Sequence, residues 1–170
     1  MKKVLVMVVF LIFACFAYGQ KFGYVNTEYI LSNIDKYRSA QDQLDLISVE
    51  WQKEIEAKFA EIDRLYKEFQ AEKVLLTEEM RTKREGEIIK KEKEAKELQK
   101  KYFGKDGDLF KKRQELVKPI QDEVFNAVKE LATEGNFAVI FDAAGSLNML
   151  YTDPKYDRSD DVLKKMGYKN

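Results

Sequence analysis

The chain has 170 residues, room for one domain or two small ones, and 30 Lys and Arg stand against 30 Asp and Glu, so its formal charge is zero. Charged residues make up 35% of it, with only 2 Pro and 8 Gly, while apolar residues still reach 45%; this is a composition for long solvated helices rather than disorder. Histidine is absent, Cys15 is the single cysteine and neither common glycine-rich nucleotide loop occurs, which removes the usual general base and zinc ligands, any intrachain disulfide and most nucleotide chemistry.

The first segment reads as an export address. Met1-Lys2-Lys3 is basic, Val4 to Phe16 is unbroken apolar chain, and Ala17 and Gly19 place small residues where a signal peptidase reads. The apolar run is shorter than the roughly 20 residues a bilayer span needs. The expectation is a signal peptide over 1–19 and an exported mature chain from 20. Ile12-Phe13-Ala14-Cys15 loosely resembles a lipobox, but Phe is a poor residue at its second position, so a lipid anchor at Cys15 is the less favoured reading.

Phe22-Gly23-Tyr24-Val25 is a short β-type run, and Asn26 and Thr27 then offer N-caps for a helix with Tyr29, Ile30, Leu31 and Ile34 on its apolar side. A long helix is expected over 37–74. Ile55, Ile62, Phe69 and Leu76 repeat every seven residues, and Leu44, Trp51 and Leu65 form a second row broken by Lys58; with Phe59 these read as a coiled-coil seam. At 1.5 Å per residue that helix would be about 57 Å long. Thr77 is a good cap for a second helix running to about Ala132. Phe103, Phe110, Val117, Val124 and Leu131 are again seven apart, which favours one helix continuing through Gly104-Lys105-Asp106-Gly107, each glycine weakening it by about 1 kcal/mol. Gly135 ends it. Phe137 to Phe141 reads as a buried strand, and Leu147 to Tyr151 as its hairpin partner. Ser159, with Asp160 and Asp161, caps a last helix carrying Val162, Leu163 and Met166.

The expected fold class is α+β. A small β-containing body is built from 20–35 and 119–170, and an antiparallel helical coiled-coil hairpin projects from it over 36–118. The charge is uneven along this plan: residues 20–77 carry 8 positive and 11 negative side chains, 78–113 carry 13 and 9, and 114–170 carry 7 and 10. Apolar residues in excess of the seam collect near the hairpin tip. Val74 and Leu75 adjoin Leu76, a helix can turn only one or two of the three inward, and Ile88-Ile89 poses the same problem. With Met80 they read as an exposed, sticky cluster. Arg81, Lys83, Arg84, Lys90 and Lys91 surround it with positive charge suited to anionic partners such as acidic polypeptide, lipopolysaccharide or anionic lipid. Nucleic acid would meet the same field, but an exported protein does not see it.

The order of parts resembles the Skp/OmpH family of periplasmic chaperones. The likeness lies in the signal peptide, Phe22-Gly23-Tyr24-Val25-Asn26, the charged helical hairpin, Phe137-Ala138-Val139-Ile140-Phe141-Asp142 and Ser159-Asp160-Asp161-Val162-Leu163. It implies a jellyfish-shaped homotrimer whose hairpins are tentacles around a cavity that holds unfolded outer-membrane proteins without ATP, with no cofactor and no metal. The strands would build the trimer body, so Phe22, Tyr24, Phe137, Val139, Phe141, Leu147 and Met149 are the candidate self-association residues. Some well-known relatives are strongly basic, whereas this chain without residues 1–19 carries 28 positive and 30 negative side chains. The competing reading is a structural coiled-coil protein of the envelope. An enzyme is a distant third, since no nucleophile has an obvious base.

Overall fold

The computed structural model describes residues 20–145 and 149–169. The expected signal peptide, Cys15 and Leu147 lie outside the described residues. The chain is mostly helical with one small sheet, in the order β1 (Lys21–Val25), α1 (Thr27–Ser32), α2 (Asp35–Glu72), α3 (Glu78–Phe103), α4 (Asp108–Glu134), β2 (Phe137–Asp142), a 3-10 turn (Pro154–Tyr156) and α5 (Ser159–Lys165). It divides into two compact units. One holds described residues 20–33 and 124–169, the other residues 34–123.

In the first unit β1 and β2 pair in parallel, with Phe22 opposite Val139, Tyr24 opposite Phe141 and Val25 opposite Asp142. This corrects the expected hairpin: Met149, Leu150 and Tyr151 are in no strand. β1 pairs along one edge of β2, and polar groups turn the chain out of the sheet before it can fold back on the other. Ala143 N–H donates to the Val25 carbonyl (2.7 Å). The Asp142 carboxylate accepts from the Thr27 N–H and hydroxyl and from the Ala144 N–H. The returning chain then meets the other edge of β1 at Asp157 and Arg158, whose N–H donates to the Tyr24 carbonyl (2.8 Å).

Asn26 caps α1 by accepting from the Tyr29 N–H, and its own N–H donates to the Ser159 hydroxyl, which donates to Asp157. That buried Ser159 joins the starts of α1 and α5, and Ile30, Val162 and Leu163 are buried in this unit. Asn136 takes the left-handed conformation that ends α4, with φ of 51°. Gly135 serves a different need, because a Cβ there would lie 2.4 Å from the Phe137 ring.

In the second unit α2 carries Ala40, Leu44, Ile55, Ile62 and Phe69 buried; Ile55, Ile62 and Phe69 are the seven-residue row the sequence predicts, and Leu44 comes from the second row. Ile62 and Phe69 pack with Ile88 and Ala95 of α3, and Leu65 and Leu76 close over them. Further along, Trp51 stacks on Tyr102 (4.4 Å between ring centres) and Lys91 pairs with Glu61 at 2.9 Å.

The predicted continuous helix over 78–132 is broken. Gly104 caps α3, its N–H donating to Lys100 O, and Gly107 N–H donates to Gly104 O before α4 begins. The reason lies in the seam. Ile88, Ala95 and Tyr102 of α3 continue by sevens to Leu109 and Leu116, yet α4 buries Val117, Ile120, Val124 and Ala127. The two seams differ by one residue, about 100° of helix rotation, so no unbroken helix serves both. The Phe103-to-Phe110 spacing that argued for continuity belongs to the second seam alone, and Phe110 is exposed.

Candidate functional site

The turn between α2 and α3 is where the sequence-predicted binding residues converge. α2 stops at Glu72, two residues before its expected end, and Leu75 N–H donates back to Glu72 O (2.8 Å). Thr77 caps α3 by accepting from the Met80 N–H. Phe69 is the last α2 residue to be covered, and Leu76 is half-buried. Val74 and Leu75 fall in the turn, where no helix lies opposite, and stand 87% and 86% exposed; Met80 is exposed as well.

The Ile88-Ile89 pair divides. Ile88 is 7% exposed and part of the packed cluster, so its expected place on the sticky surface is corrected, while Ile89 stays outward at 65%. Phe59, read as seam, is instead exposed. Phe59 falls on neither the row of Ile55, Ile62 and Phe69 nor that of Leu44, Trp51 and Leu65, and this register is the signal that could have found it. Leu46, Val49 and Tyr66 are exposed on the same helix and were not singled out.

Most of the basic set is paired along or between the helices. Arg81 meets Glu78, Arg84 meets Glu87, Lys90 meets Glu94 and Lys91 meets Glu61. Lys83 makes no ion pair with a described residue. The Lys91–Glu61 hydrogen bond raises the lysine pKa and lowers that of the glutamate. Such solvent-exposed pairs are weak, so they leave the local excess of positive charge in place.

The first unit has a groove of about 750 Å³ whose walls include Phe22, Tyr24, Phe137, Phe141, Met149 and Tyr151. It gathers most of the residues singled out for self-association; Val139 is exposed outside its lining. Arg158, which the sequence reading missed, lies over the Phe137 ring at 5.6 Å. Among the described residues, no group of three acidic, Cys or His side chains is placed to hold a metal ion.

A long-helical unit whose α2–α3 turn is apolar and flanked by basic residues, joined in one chain to a small two-stranded unit with an aromatic groove, defines an α+β protein. The chain belongs to the family of outer membrane proteins described as OmpH-like, which it matches over residues 21–166. Its fold is similar to the crystal structure of a candidate outer membrane chaperone, OmpH-like, from Caulobacter crescentus CB15. The TM-score is 0.66 at 11% identity, over 86% of this chain and 83% of that one. No curated protein matches the sequence.

Proposed function

We propose that this protein is an ATP-independent holdase that binds unfolded outer-membrane β-barrel proteins in the periplasm and keeps them from aggregating. The observation that carries the reading is the tip: Val74 and Leu75, almost fully exposed side by side, with Met80 and Ile89 exposed and Arg81, Lys83, Arg84, Lys90 and Lys91 around them. The cations attract acidic segments of a client, or lipopolysaccharide and anionic lipid, over several ångströms. The apolar side chains then hold what arrives, through contacts that are individually weak and additive over several arms. Membership of the OmpH-like family and the likeness to the Caulobacter protein support a chaperone role.

In this reading α2 and α3 are the two limbs of an antiparallel hairpin. The pairings Trp51 with Tyr102 and Glu61 with Lys91 support it, since the partner number falls as the first rises. The first unit is the self-association body of a homotrimer. Its two-stranded sheet leaves Phe22, Val139 and Phe141 exposed, and a sheet of two strands is marginal alone. The open edge of β2 and the extended chain at 149–151 are the surfaces a second copy would cover. Size-exclusion light scattering on residues 20–170 checks this; a trimer is expected, and a folded monomer at micromolar concentration contradicts it.

The functional test is light scattering from an unfolded outer-membrane β-barrel diluted out of urea. The protein at a few-fold molar excess should suppress aggregation. Reversing Arg81, Lys83, Arg84, Lys90 and Lys91 to Glu should slow capture most at low salt, where screening is least. Val74→Ser with Leu75→Ser should instead hasten release. If the unaltered protein fails to suppress aggregation, the structural-rod reading takes its place.

A further inference from the structure

The junction of α3 and α4 joins three features that the tip does not use. Tyr102 lies flat on Trp51 with an interplanar angle of 6°, and Phe103 meets the same indole edge-on at 6.4 Å. The Tyr102 hydroxyl donates to Glu54 at 2.9 Å, and that bond, with burial second, raises the tyrosine pKa. Immediately beyond stand the two glycines. A Cβ on Gly104 would lie 2.3 Å from Lys100 O, and one on Gly107 would lie 2.7 Å from Tyr102 O, so this closed path is available only without side chains there.

We propose that this cluster is a latch: the last turn of α3 leaves α2 and returns to it while the rest of α2 and α3 stays packed. On either side of the junction the seams have different phases, so the turn ending at Phe103 belongs fully to neither. What holds it is the stack on a half-buried tryptophan and a hydrogen bond between two solvent-accessible side chains. Beyond it, the packed cluster of Ile62, Phe69, Ile88 and Ala95 makes no use of the latch. Backbone hinging is supplied at Gly104 and Gly107, in the break between α3 and α4, while α2 runs unbroken from Asp35 to Glu72. Opening bares the face of Trp51 that the Tyr102 ring covers in the closed state. The inference does not depend on the chaperone reading and is tested without any client.

Native-state hydrogen exchange on the full folded chain reads the latch directly. Amides of residues 100–107 are expected to exchange by local opening, at least tenfold faster than those of residues 62–69 and 88–95. Tyr102→Phe keeps the ring stack and deletes only the hydroxyl, so it should speed exchange at 100–107 about fivefold and leave the packed cluster unchanged. Because Trp51 is the single tryptophan, its quenching by acrylamide should rise in the same variant. Exchange at 100–107 that matches the packed cluster, or that does not respond to Tyr102→Phe, would mean the junction is a fixed splice and overturn the proposal.

Discussion

At the scale of single residues, three glycines with similar sequence surroundings have different structural duties. Gly86 lies inside α3 with open space where a Cβ would go, so Gly86→Ala should stabilise the chain by about 0.5–1 kcal/mol through backbone entropy. Gly104 and Gly107 also sit among lysines and acids, yet a Cβ on either would strike main-chain oxygens that cannot move aside. Gly104→Ala and Gly107→Ala should each destabilise by about 1–3 kcal/mol, the usual range for forced overpacking. This reverses the sign that a continuous helix would give. Urea melts of the three variants decide it, and stabilisation at 104 or 107 would contradict the observed break. The sequence could not separate these glycines, because each is compatible with a weakened helix by itself. What distinguishes them is the one-residue offset between Ile88, Ala95, Tyr102 and Val117, Val124, which appears only once it is known which residues are buried.

At the scale of elements, helices were legible and strand pairing was not. The spacing of Ile55, Ile62 and Phe69 states which face of α2 is covered, and Asn26 and Thr77 mark helix starts by their own side-chain chemistry. A strand carries no comparable address. Phe137 to Asp142 is apolar enough to pair on either side, and its partner is β1, more than a hundred residues earlier, rather than the nearby apolar run after the turn. The α1–α5 contact adds a polar tie that the sequence does not display: Tyr29 hydroxyl and the Lys169 ammonium both donate to Asp160. Lys169 chiefly, and Tyr29 after it, hold the Asp160 carboxyl below the usual range, and Asp160 raises the pKa of Lys169. A depressed Asp contributes stability that is fully present above about pH 4 and fades as pH falls through the lower folded value. The raised Lys contributes below about pH 10.4 and loses it as pH climbs through its folded value. Thermal melts should therefore be level from about pH 5 to 9 and fall below 4. Lys169→Ala should make the acid step smaller, and only slightly so, since the pair is solvent-exposed. An acid step of unchanged size in that variant would remove the tie from the account.

At the scale of the whole molecule, the chain has no histidine, so its charge pattern stays nearly constant across the range in which most proteins titrate. The segment 78–113 remains positive and the segments on either side remain negative, so the proposed attraction of acidic clients should be independent of modest pH change and sensitive to salt. That distribution was readable in the sequence, as was the surplus of apolar residues near the tip. Which of them face outward was not: Ile88 and Ile89 are neighbours of one residue type, and packing against Ile62 and Phe69 alone decides between them. The central claim is that clients are held at the exposed tip, and site-specific photo-crosslinking tests it most directly. A photoreactive residue at Leu75 should capture an unfolded outer-membrane β-barrel in high yield, whereas one at Ile88 should react within its own chain. Capture that is no stronger from position 75 than from position 88 would contradict the account.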